Sequence, residues 1–210
     1  MKIIDISQPL SVNTAVWPGD QPFELTWTMQ VERGDSVNVA ALTMSAHTGT
    51  HTDGGYHVSR GGTRAADLPL AAYIGKALVV DARGRAVLDE DVVRDVDLKT
   101  HRRILFRTRE HIDASEFPRD FLSPTAELAR RLVAAGVLLI GSDAPSMDTV
   151  DSKTLDSHHV LADGGVAILE NLVLSDVAAG VYTLIALPLK LIDADSSPVR
   201  AVLVQGSIEE

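Results

Sequence analysis

Three of the chain's seven histidines and one carboxylate fall in the stretch His47-Thr-Gly-Thr-His51-Thr-Asp53-Gly-Gly-Tyr-His57. Imidazole and carboxylate together form a usual ligand set for zinc and similar divalent ions. Positions 47, 51, 53 and 57 share a parity, so an extended strand would present them on one face. A straight strand is not sufficient. At about 3.3 Å per residue it would hold His47 and His57 about 33 Å apart, whereas ligands lie about 2.0–2.2 Å from their ion. A helix would align His47 with His51 but turn Asp53 about 200° away from His51. Gly49, Gly54 and Gly55 let the chain turn back on itself. The spacing therefore predicts a bent, glycine-hinged segment at a strand end. A polar loop with solvated histidines is the plainer alternative.

A second cluster surrounds Glu170. It sits in Val-Ala-Ile-Leu-Glu-Asn-Leu-Val-Leu (166–174), where seven of nine residues are apolar, and this reads as a strand buried on both faces. An unpaired buried carboxylate costs several kcal/mol or stays protonated. It needs a cation, which is either an arginine or lysine or a metal. The metal fits better because His158 and His159 lie just upstream; one can reach the site while the other faces solvent. Five of the seven histidines thus belong to the two clusters. His101 and His111 lie in charged, loop-like surroundings and receive no role. Asp53 and Glu170 each have two oxygens and can bridge, which makes room for two ions about 3.5–4 Å apart.

Elements must bring these clusters together. Strands are expected at 2–7, 23–29, 37–46, 75–82 and 102–108, with a turn at Pro18-Gly19. A helix is expected over 123–136, with Ser123 as N-cap, Pro124 at the first helical position and Gly136 as C-cap. A buried strand follows at 137–143. A short helix lies within 151–165, closed by Gly164-Gly165. Strands at 166–174 and 181–192 complete the pattern. Strands first, then alternating helices and strands, indicate a mixed α/β protein. No linker interrupts the chain, so one domain over 1–210 is expected.

The totals exclude several classes. Hydrophobic residues make up 45% and charged residues 23%, with a net charge of −10 and no cysteine. Disulfides, thiolate metal sites and a cysteine nucleophile are excluded. The negative balance argues against nucleic acid or an anionic membrane as a partner. No G-x-S-x-G elbow marks a serine hydrolase. The start, MKIIDISQPL, carries Asp5 and lacks an apolar signal core. No run approaches the roughly 18 apolar residues of a membrane span. A cytoplasmic protein is expected.

With these residues in place the sequence resembles the metal-dependent cyclase-like hydrolases, and within them the arylformamidases. The likeness rests on His-x-Gly-Thr-His-x-Asp-x3-His, on VWPGD (16–20), GSDAPSMDTVDSKTLDSHH (141–159), AILENLVL (167–174) and ALPLKLIDADSSPVRAVL (186–203). One departure stands out: Gly55 occupies the position of the family's proline, which leaves the substrate wall beside His57 open. The resemblance implies a compact α/β fold, with a mixed sheet or barrel-like core and flanking helices, in a homodimer. It implies two divalent ions per chain, zinc first, with manganese or cobalt as alternatives. His47, His51 and Asp53 would hold one ion; Asp53 and His158 the second; Glu170 would bridge both. His158 is preferred to His159 because its distance to Glu170 matches the family spacing. His57 would be the acid/base, and Trp17 would line the pocket. Without the resemblance Trp17 would read as a core residue, as Trp27 does. The reaction implied is hydrolysis of a small aromatic formamide, N-formyl-L-kynurenine, to formate and the free amine. The alternative is isatin or another cyclic amide at the same centre. Asp143 could orient a ligand histidine; turn capping is the competing role for Asp143, Asp148 and Asp193.

Overall fold

The structure is a computed structural model that describes residues 1–206. Eleven strands and two helices follow one another. They are β1 (Lys2–Asp5), β2 (Glu24–Met29), β3 (Val39–Thr43), β4 (His51–Asp53), β5 (Ile74–Asp81), β6 (Arg103–Arg107), α1 (Ala126–Ala134), β7 (Leu139–Ser142), α2 (Asp156–Asp163), β8 (Ala167–Glu170), β9 (Gly180–Ile185), β10 (Ser196–Pro198) and β11 (Val202–Gln205). Nine form one curled mixed sheet in the order β1-β11-β9-β5-β6-β7-β8-β4-β10. Strands β5 to β8 run parallel, as helix-containing crossovers require. Their neighbours on both sides are antiparallel. The mixed α/β architecture expected from the sequence is present.

Alternation along the central strands divides the core in two. Leu105, Leu139 and Leu169 join Ile6, Tyr73 and Leu203 on one face. Ile104, Phe106, Ile140 and Ile168 face the helices and meet Leu128, Leu132 and Leu161. Both faces are covered, which is why these strands read as continuous apolar runs rather than alternating ones.

Four expectations need correction. The strand expected over 181–192 ends at Ile185, and only an isolated bridge at Pro188 follows. Helix α1 starts at Ala126, and Thr125, not Ser123, is its N-cap: the Thr125 hydroxyl accepts from the Leu128 N–H at 3.1 Å. Pro124 is not helical, because it is drawn into a parallel bridge with Leu88 and the Thr125 N–H donates to the Leu88 carbonyl. The strand expected over 166–174 stops at Glu170, since Asn171 adopts a left-handed φ of 56°. Trp27 is not a core residue. It lies 45% exposed on the separate ribbon formed by β2 and β3. Strand periodicity alone does not reveal whether a second sheet covers the strand. Among the described residues no helix is long and apolar enough to cross a membrane.

Candidate metal centre

Strand β4 is three residues long, yet it sets the site. It pairs antiparallel with β8, placing His51 directly opposite Glu170. Residues opposite one another in a sheet share a face, and so do residues two apart in a strand. His51, Asp53 and Glu170 therefore project together. Ahead of β4 the chain turns at Gly49, whose φ of 65° favours glycine. The Gly49 carbonyl then lies 2.9 Å from His51 Nδ1, leaving Nε2 to face the carboxylates. This is the bent, glycine-hinged segment expected from the spacing.

His158 arrives from α2. That helix has no side-chain cap of its own, and Leu155 before it is left-handed, with φ 47°. Asp148 fills the gap. Its carboxylate accepts from the Ser157 and His158 N–H groups at 3.1 and 3.0 Å, and lies 2.6 Å from His158 Nδ1. One side chain thus satisfies the open helix end and aims His158 Nε2 inward. His159, the adjacent candidate, is exposed.

The five candidate ligands converge. His47 Nδ1 lies 3.1 Å and His51 Nε2 3.5 Å from Asp53 Oδ1. His51 Nε2 is 3.2 Å from Glu170 Oε2, and His158 Nε2 is 3.3 Å from Glu170 Oε1 and 3.6 Å from Asp53 Oδ2. His51, Asp53, His158 and Glu170 are buried, each at most 6% exposed. Glu170 also accepts from the Met147 N–H at 2.8 Å.

Several of these contacts are close without being hydrogen bonds. His51 Nε2 and both Asp53 oxygens are buried and lack hydrogen-bond partners. Buried polar atoms are rarely left so. Lone pairs aimed at a common point rather than at one another are what a cation would satisfy, and histidine with carboxylate suits a divalent ion. The residues fit a metal.

The local charges point the same way. Burial opposes ionisation of Asp53, but the imidazoles of His158 and His47 hold its carboxyl well below the usual range. Burial and Asp53 push Glu170 up; His158 and His51 outweigh them and bring it down. Burial would depress His47, yet Asp195 and Asp53 raise it to about 10. His158 is likewise driven up, against burial, by Asp148, Asp53 and Glu170. The cluster is a trap for positive charge.

His57 follows in a short 3-10 turn, Gly55–His57, and borders the same cavity. A ring nitrogen of His57 lies within 4.8 Å of ligand atoms of Asp53 and His158. Its side chain is 32% exposed, far more open than the buried four. The turn is held by Gly62, where a Cβ would fall 2.0 Å from the Gly55 carbonyl carbon and 2.4 Å from Tyr56 N. Gly62→Ala is therefore expected to displace His57 and cost about 10-fold in kcat/KM, with the far-ultraviolet circular dichroism spectrum unchanged. Gly55, the departure from the family's proline, packs on Thr63 and Gly62 and does not line the main cavity.

That cavity holds about 550 Å³. His47, His51, His158 and Glu170 lie at its base, and Trp17 and Phe117 form a wall. The two rings meet edge to face, with centroids 5.2 Å apart. Trp17 is thus among the residues lining this cavity. Asp143 does not orient a histidine; it caps the loop after β6 through the Thr108 and Arg109 N–H groups. Asp193 accepts an arginine at its carbonyl and faces outward. Asp195, which sequence reasoning passed over, lies 2.9 Å from His47 Nε2 and 3.3 Å from His57 Nδ1. An acid directly before β10, which pairs with β4, was the available signal.

Fold and site together define the class: the chain belongs to the Cyclase family, whose model matches residues 4–149. The particular likeness is to bacterial kynurenine formamidases. The enzyme of that name from Bacillus cereus (strain ATCC 14579) is 46% identical over 200 residues, covering 95% of this chain and 96% of that one. The one from Bacillus anthracis is 45% identical over 202 residues, covering 96% and 97%. A solved structure described as a predicted metal-dependent hydrolase from Bacillus stearothermophilus is 26% identical and superposes with a TM-score of 0.82, covering 96% of this chain and 97% of that one. Isatin hydrolase A from Labrenzia aggregata shares the fold at 21% identity, with a TM-score of 0.82 over 98% of this chain and 94% of that one.

Proposed function

We propose that the chain hydrolyses N-formyl-L-kynurenine to L-kynurenine and formate at a centre of two divalent ions, most simply zinc. The observation that carries this reading is the meeting of five ligand side chains from three distant segments, four of which line an aromatic-walled cavity. The kynurenine formamidases that cover nearly the whole chain supply the substrate. His47, His51 and Asp53 would hold one ion, Asp53 and His158 the second, and Glu170 both.

Bound divalent ions would bring the pKa of water towards neutrality and polarise the formyl carbonyl. The chain's own residues do the rest. Trp17 and Phe117 take the aryl ring, with the formyl group directed to the cavity base. As the water oxygen adds to the formyl carbon and the C–N bond breaks, the anilide nitrogen requires a proton. His57, which borders the cavity, would give it, and imidazole is suited to proton transfer near neutral pH.

Metal analysis of the purified protein, with formamidase assays before and after chelation, tests this. The expected result is close to two ions per chain and activity that is lost on chelation and restored by added metal. Faster opening of a lactam than of the formamide would move the reading to a cyclic-amide hydrolase; zero or one ion would refute the binuclear centre.

The reading includes a homodimer in the cytoplasm. Both strands of the β2–β3 ribbon are exposed along their length. Leu25 pairs with Leu42 and Trp27 with Ala40, so Leu25, Trp27 and Leu42 share one exposed apolar face. A lone two-stranded ribbon is marginal in water, and such a patch marks an association surface. Sedimentation is expected to give a dimer for the wild type and a shift towards monomer for Trp27→Glu.

A further inference from the structure

Asp195 stands between two histidines that have different tasks. A single oxygen, Oδ2, lies 2.9 Å from His47 Nε2 and 3.3 Å from His57 Nδ1. The two rings are 4.4 Å apart at their centroids, inclined at 47°. A carboxylate only accepts, so each facing nitrogen must carry its proton. That choice fixes both tautomers. With an ion bound, His47 is left with Nδ1 as its lone-pair nitrogen, the one 3.1 Å from Asp53. His57 is left with Nε2 for the cavity.

The backbone shows that this arrangement is built in. The Gly54 N–H donates to the Asp195 carbonyl at 2.8 Å, and the Ala65 N–H to the Ala194 carbonyl at 2.9 Å. The loop carrying His57 is thus tied at both ends to the segment carrying Asp195. Asp193, two residues earlier, holds a left-handed φ of 67° to bring that segment in. Non-glycine residues adopt this region at a cost, aspartate less than most, and such conformations cluster at functional sites. Nothing else among the hydrogen bonds of the described residues orients the His57 ring.

We propose that Asp195 is a positioning residue: it sets the tautomer and orientation of His57, so that Nε2 is presented to the leaving nitrogen, while tethering the outer edge of His47. The proposal rests on the assignment of His57 as the proton donor.

Two measurements on the zinc-loaded protein test it. The first needs no turnover. Long-range proton–nitrogen spectra of histidine-labelled protein read which ring nitrogen carries hydrogen. His57 is expected as the Nδ1–H form in the wild type and as a tautomer mixture in Asp195→Ala. The second is a double-mutant cycle on N-formylkynurenine hydrolysis. Asp195→Ala is expected to lower kcat about 10- to 100-fold, with KM changed less than about threefold, at wild-type zinc content. The same change in a His57→Ala background should cost less than about twofold, because the group it serves is gone. Asp195→Asn, which keeps one acceptor, should recover part of the rate. A full additional loss in the His57→Ala background, or an unchanged His57 tautomer in Asp195→Ala, overturns the proposal. So does zinc content falling in step with kcat, which would make Asp195 part of an ion site with His47 and His57. A wild type inactive on the formamide, with the tautomer still lost in Asp195→Ala, would refute the formamidase reading and support the role of Asp195.

Discussion

Asp53→Asn protein is expected to purify with less than half its metal and to lose at least about 10³-fold in kcat/KM. Asp53 is the point where His47, His51 and His158 meet, and neither of its oxygens has another partner. The amide has nearly the same shape, but it carries no charge and turns an NH2 group towards nitrogens that should face a cation. Losing an ion forfeits several kcal/mol of transition-state charge stabilisation, and about 4 kcal/mol corresponds to about 10³-fold. Elemental analysis beside kinetics reads both effects. Full metal content in the variant would remove Asp53 from the ligand set.

The metal-free wild type should carry a related signature. With no ion, protonated histidines must balance the carboxylates. His47 is raised from 6.5 to about 10 by Asp195 and Asp53, against the pull of burial. A raised histidine contributes stability that is fully present below its unfolded pKa and is lost as pH rises through its folded one. The melting temperature of the metal-free protein is therefore expected to fall between about pH 6.5 and pH 10. The metal-loaded protein should change less, because ions rather than protons then balance the site. Equal pH dependence with and without metal would mean that the ions do not sit among these side chains.

His57→Ala should separate binding of the ions from proton transfer. General acid catalysis contributes about 10²- to 10⁴-fold, and kcat is expected to fall by that factor while the metal content stays at wild-type level. His57 is suited to this role because it borders the cavity yet remains partly open, unlike the buried donors beneath it. An anilide nitrogen should not leave as an anion, so the step most affected is C–N cleavage. A substrate whose leaving nitrogen is less basic should narrow the difference between variant and wild type. Metal lost together with activity would make His57 a ligand and would leave the proton donor unassigned.

Among the described residues, three non-glycine residues are held at positive φ: Leu155, Asn171 and Asp193. Each lies within three residues of a site side chain: His158, Glu170 and Asp195. Backbone strain of this kind, of order 1–3 kcal/mol each, persists only where the surroundings over-determine it. It also explains why the expected strand over 166–174 is cut short. The regular pairing ends at Glu170, and the Met147 N–H donates to that carboxylate at 2.8 Å.

What the sequence determined by itself is donor chemistry. A carboxylate in an apolar strand needs a cation wherever it folds, and His47, His51 and Asp53 have their parity and glycine hinge within one short stretch. Those are properties of side chains and of local backbone. The apolar runs of β6 to β8 were legible for the same reason: burial on both faces is written into each strand separately. Which residue caps α1, which histidine has its ring held and which carboxylate holds it depended on contacts across the chain. Pro124 was extended by Leu88, His158 was aimed by Asp148 from another segment, and His57 was reached by Asp195, 138 residues away. Strand β10, three residues long and beginning with two serines, has no periodicity to announce it; its place beside β4 comes from pairing alone. Trp27 shows the same limit at the surface, because whether a strand face is covered is decided by what packs on it.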